Sequence, residues 1–264
     1  TQPRFKRRAG KGRLQRDLHV EQLRVHDKVI NIFEHVGAVA IHPNEAPAYA
    51  EAGELAQAIA AIDALAAQPR VRAIGETGLD FFRTGEDGRG VQEESFRRHI
   101  RLAKQLGKPV MIHDRDSHDD VIRVLEDEGA AETVVFHCYS GHAAMSEYCT
   151  ARGWYLSFAG TVTFKNAAAL RESVGVAPLD RLLVETDAPY LTPTPWRGRP
   201  NASYLVPLTV RVMAESAGVD EDDVRLEYER AFRSGGTDPG APNVLVATPT
   251  FEMGIDIGDL STVL

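Results

Sequence analysis

A chain of 264 residues is long enough for one large α/β domain or two ordinary ones, with a buried core in either case. Its composition, 43% hydrophobic and 26% charged, is that of a soluble globular protein, and no apolar stretch approaches the roughly 20 residues that span a bilayer. The sequence opens on no signal-peptide core, and Cys138 and Cys149 form no C-x-x-C pair, so reduced thiols in a cytoplasmic protein without a membrane partner are expected.

The net charge of −8 is unevenly divided. Residues 1–28 carry nine Lys/Arg against Asp17, Glu21 and Asp27, a net +6 that leaves −14 for the remainder. Such an arm is either a solvated tail or a contact for nucleic acid. Residues 1–35 are set apart as a basic segment that is not barrel-like.

From Val36 short apolar runs alternate with longer amphipathic ones. Strands are expected over 36–42, 71–75, 109–113, 133–138, 154–159 and 182–187. Helices are expected over 54–67, 91–106, 117–128, 142–152, 166–174 and 204–217. In the second of these, Phe96, Ile100 and Ala103 share one face, and Gly107 with Pro109 marks its end. Apolar strands alternating with helices indicate a parallel sheet, which periodicity alone assigns neither to a barrel nor to a doubly wound sheet. In both, chemistry sits at the C-terminal ends of the strands. That is where His42, Glu76, His113, His137 and Asp187 fall.

Each of these residues alone has a structural explanation: a satisfied core histidine, or a carboxylate capping a turn. Four of them at the same end of successive strands are better explained by one site. Glu76, His113, His137 and Asp187 make an imidazole–carboxylate set suited to Zn, Mn or Mg. Such ions generate hydroxide and stabilise a leaving oxygen in phosphoester hydrolysis.

Residues 36–223 resemble the TatD-type metal-dependent deoxyribonucleases, of the amidohydrolase-like TIM-barrel group. The motifs that carry the resemblance are "AIHPNEAP", "AIGETGLDFF", "PVMIHDRD", "VVFHCYSG", "YLSFAGTVTFKN", and "RLLVETDAPYLTP" followed by "RGRPN". The resemblance implies an α/β fold, a TIM-barrel-type parallel sheet with surrounding helices. About six of its eight strands are visible. It implies one or two divalent ions (Mg, Mn or Zn), with Glu76 bridging, His113 and His137 on one ion, and Asp187 on the other holding the water. Glu76 and Asp187 are then the catalytic carboxylates. His42, Arg115, Arg197 and Arg199 would lie beside a DNA substrate cut from a 3′ end.

The family's opening H-x-H strand has no counterpart in this sequence. The alternative to a nuclease is therefore a catalytically impaired barrel that only binds nucleic acid or protein. The segment 225–264 forms a Gly/Pro linker and "NVLVATPTFEMGIDIGDLSTVL", which resembles a strand-and-loop fragment of superfamily-2 helicases, as a fused or rearranged reading frame would give. No G-x-x-x-x-G-K-[ST] is present, so no nucleotide triphosphate is expected to bind.

Overall fold

The six apolar runs pair as expected, all parallel and in chain order. A computed structural model describes residues 36–220 and 246–247. The expectations for residues 1–35 and for nearly all of 225–264 lie outside the described residues. The strands are β1 (Gly37–Val39), β2 (Val71–Asp80), β3 (Val110–Arg115), β4 (Val134–Phe136), β5 (Tyr155–Phe158) and β6 (Leu182–Thr186). A two-residue β7 (Val246–Ala247) pairs with Glu185 and Thr186 of β6. The sheet order is β1 to β7, each strand beside its neighbour in sequence, a curled half-barrel.

Helices cover the outer face: α1 (Ala46–Glu51), α2 (Leu55–Ala66), α3 (Glu86–Leu106), α4 (His118–Glu128), α5 (Ala143–Ala151), α6 (Ala168–Val176) and α7 (Val206–Ala217). The core between sheet and helices contains Phe96, Phe136, Phe158, Ile74, Ile100 and Leu156, all essentially inaccessible to solvent. On β3 the alternation is plain. Val110, Ile112 and Asp114 are buried, whereas Met111, His113 and Arg115 are partly open, so His113 and Arg115 share one face of the sheet.

Several boundaries differ from expectation; β1, for example, ends at Val39, so His42 lies in the turn beyond it. β2 runs on to Asp80, which places Glu76 inside a strand rather than at its end. Gly78 permits this, because its φ is +137° and a Cβ there would meet the His113 carbonyl at 2.0 Å. α3 starts five residues earlier than predicted, at Glu86, despite Gly88 and Gly90; Glu86 and Asp87 in its first turn complement the positive end of the helix dipole. α1 was not expected: Pro47 fits its first turn, and the helix has no side-chain cap. α3 ends as predicted, with Gly107 in the left-handed conformation donating to Ala103 and Lys104.

Beneath the sheet, His99 of α3 ties three elements together. Its Nε2 accepts from the Ile41 backbone N–H at 3.1 Å. Its Nδ1 lies 2.8 Å from the Ser95 carbonyl and 3.2 Å from Thr77 Oγ1. Burial pushes its pKa down to about 4, against an ordinary 6.5. A group neutral in the folded state but protonated when unfolded stabilises above pH 6.5, and that contribution is lost as the pH falls from 6.5 to about 4. The loss is on the order of 3 kcal/mol. Denaturant melts at pH 7 and pH 4.5 should show it, and His99→Gln, which keeps an acceptor for Ile41 but cannot charge, should flatten the slope. An unchanged slope would remove His99 from the account of acid sensitivity.

Candidate metal centre

β2 and β3 lie side by side, with Gly78 opposite His113 and Asp80 opposite Arg115. This register brings the Glu76 carboxylate to the His113 ring, with Oε1 2.6 Å from Nδ1. His42, in the turn after β1, reaches the same oxygen with Nε2 at 3.1 Å. The ligand atoms of His42, Glu76 and His113 all lie within 4.8 Å of one another. The His42 and His113 rings meet edge to face at 4.7 Å between centroids.

The second Glu76 oxygen faces the next strand. His137, immediately after β4, places Nε2 3.6 Å from Oε2. Its other nitrogen is held from behind, with Nδ1 2.9 Å from Glu185 Oε1 on β6. Glu185 is fully buried. It also accepts from the Cys138 backbone N–H at 3.0 Å and from the Ser157 hydroxyl. Cys138 adopts a left-handed φ of +45°, the conformation in which its N–H is given to Glu185. An ionisable carboxylate inside the apolar run "LLVET" was the available signal for Glu185, although its partner is 48 residues away.

His113 is supported in the same way. Its Nε2 lies 3.2 Å from Asp80 Oδ2, and Asp80 accepts further from the Asn44 side chain at 2.9 Å and from the Arg83 backbone at 2.9 Å. Carboxylates behind both rings fix which nitrogen faces Glu76, as they do for metal-bound histidines. Asp80 and Glu185 had not been singled out from sequence.

The electrostatics follow from this packing. Burial opposes ionisation of Glu76, but hydrogen bonds with His113 and His42 and the charge of His137 outweigh it and hold the carboxyl well below the usual range. Burial alone would lower the His137 pKa, yet Glu185, Glu76 and Asp187 around it push it up. Burial also raises Glu185, with His137 pulling the other way. Of the two, the proton belongs on the imidazole, because the Cys138 and Ser157 donors both favour the carboxylate form of Glu185. Burial raises Asp187, partly offset by the charge of His137.

The donor set suits a divalent ion. One ionised carboxylate with two outward oxygens meets three imidazoles, two of them oriented by carboxylates of their own. His42, read from sequence as a neighbour of substrate, thus lies among the groups closest to Glu76. The other predicted contacts are further out. Arg115 stacks on Phe82, and Arg197 on Phe164, each at 3.9 Å from the ring centroid. Arg199 is exposed in the loop after β6, its carbonyl accepting from Thr192. Among the described residues no helix is long and apolar enough to cross a membrane.

The sequence profile described as "TatD related DNase" matches residues 3–234, beginning inside the segment set apart above. A Mycobacterium tuberculosis protein named "Uncharacterized metal-dependent hydrolase TatD" is 49% identical over 193 residues, covering 72% of this chain and 71% of its own. The "3′-5′ ssDNA/RNA exonuclease TatD" of Escherichia fergusonii is 37% identical over 200 residues, 70% of this chain and 72% of its own. The crystal structure of YjjV, a TatD homologue from Escherichia coli, superposes with a TM-score of 0.66 at 26% identity, covering 80% of this chain and 78% of that one. With these motifs, this half-barrel and these similarities, the chain belongs to the TatD family of metal-dependent hydrolases.

Proposed function

We propose that the protein hydrolyses phosphodiester bonds in DNA, working from a 3′ end, with Glu76 at the centre of its metal site. The observation that carries this reading is the division of the Glu76 carboxylate, with Oε1 toward His113 and His42 and Oε2 toward His137. The exonuclease name of the Escherichia fergusonii relative supports the choice of substrate. A divalent ion, when bound there, would supply an activated water and neutralise charge on the phosphodiester.

Glu76, His113, His137 and Asp187 would hold the ion or ions. His42 stands where it can add a ligand. Asp187, partly open to solvent and with a raised pKa, is suited to accept the proton of the attacking water. Arg115, Arg197 and Arg199 provide positive charge for the phosphates.

The test uses single-stranded DNA labelled at either end, with Mg or Mn present. Stepwise loss from the 3′ end is expected from the wild-type chain and none from His137→Ala. Cleavage that survives this substitution, or that starts from the 5′ end, would contradict the corresponding part of the assignment.

A further inference from the structure

Two neighbouring phenylalanines follow β2 and behave oppositely. Phe81 packs against the core, whereas Phe82 is 61% exposed. Burying a phenyl ring is stabilising, so an exposed one forgoes a favourable contact.

Phe82 is not left alone. Arg115, the last residue of β3, lays its guanidinium 3.9 Å from the centroid of the Phe82 ring. The pair is held by backbone, since Asp80 and Arg115 are in register and the Phe81 N–H donates to the Arg115 carbonyl at 2.9 Å. Arg115 lies on the same strand face as His113, two residues or roughly 7 Å further along. Asp80 joins the two, because its carboxylate meets His113 Nε2 at 3.2 Å. A flat ring with a fixed cation is therefore set one short step from the Glu76 cluster.

A second arginine–phenylalanine pair is present, with its ring half-buried. Arg197 covers Phe164 at 3.9 Å, and Trp196 beside it is 52% exposed. A ring covered by arginine combines a flat apolar face with a fixed positive charge. Such pairs match a chain of flat rings joined by anions, for which aromatic stacking and arginine are the usual contacts.

We propose that Phe82, backed by Arg115, is the stacking seat for the unpaired nucleobase of the nucleotide adjoining the scissile phosphate. The proposal rests on the phosphodiesterase reading above and adds a residue that selects an unpaired strand end. Arg115 occupies one face of the ring, so the other face accepts a single base, which must have left its own stack. Because every base has a π face, the seat tolerates any sequence.

The test is binding rather than turnover. Fluorescence anisotropy with the full chain, in chelator, compares a single-stranded oligonucleotide with one carrying abasic residues at its 3′ end. Phe82→Ala should weaken binding of the ordinary strand by about 5- to 100-fold, as loss of one stacked base predicts. The abasic strand should bind the wild type with the same deficit, and Phe82→Ala should weaken it no further. Phe82→Trp should restore the difference between the strands. Equal binding of both strands by the wild type overturns the proposal, as does an equal effect of Phe82→Ala on both. A chain that binds as described but cleaves no phosphodiester with any metal would defeat the catalytic reading and leave the seat standing.

Discussion

Replacing Glu76 with glutamine is expected to abolish divalent-ion binding and hydrolysis together while leaving the fold intact. The substitution keeps the size of the side chain and removes the one charge common to all three imidazoles. The carboxylate is held ionised by hydrogen bonds with His113 and His42, so nothing in the metal-free protein needs it protonated. An outer partner of a metal ligand is worth roughly 10- to 100-fold in affinity, and a central ligand should exceed that. Calorimetric titration of Mn²⁺ into the metal-stripped variant checks it, with a thermal melt as the control for folding. Wild-type affinity in Glu76→Gln would place the ion elsewhere.

Glu185 should give the second large effect, and its two variants should differ. Glu185→Ala leaves the buried His137 without its partner and the Cys138 N–H and Ser157 hydroxyl without an acceptor. Breaking one side of a buried pair costs about 3–5 kcal/mol, so this variant should be visibly destabilised in denaturant melts. Glu185→Gln keeps an acceptor in place but loses the charge. It should melt near the wild type and bind metal roughly 10- to 100-fold more weakly, because the His137 tautomer is no longer fixed. A glutamine variant with unchanged affinity would reduce Glu185 to a packing role.

The strands were legible because each is a short apolar run, and burial on both faces of a parallel sheet leaves that mark in sequence. His113, His137 and Asp187 were visible as ionisable groups interrupting such runs. The position of Glu76 within β2 was not, because "GETG" breaks the apolar pattern and the strand continues only through its pairing with β3. The early start of α3 was hidden by Gly88 and Gly90, whose poor helix propensity is overridden by tertiary packing.

The supporting groups were harder to read for a different reason. Glu185 meets His137 across 48 residues, and His99 meets Ile41 across 58. Contacts of that separation leave no local spacing to detect. His42 was picked out, but its approach to Glu76 depends on where the turn after β1 sets the ring, which periodicity does not specify. The residue types of the candidate cluster were thus visible in sequence, whereas the carboxylates behind its histidines emerged only from the folded geometry.

The proposed phosphodiester hydrolysis would depend on an ion held at Glu76. The most direct test of that dependence is a Mn²⁺ titration of metal-stripped protein in which bound ion and the rate of single-stranded DNA cleavage are followed in the same samples. No cleavage is expected at zero occupancy, and the rate should rise with bound ion and saturate with it. Cleavage by the metal-free protein, or full occupancy without cleavage, would contradict the proposal.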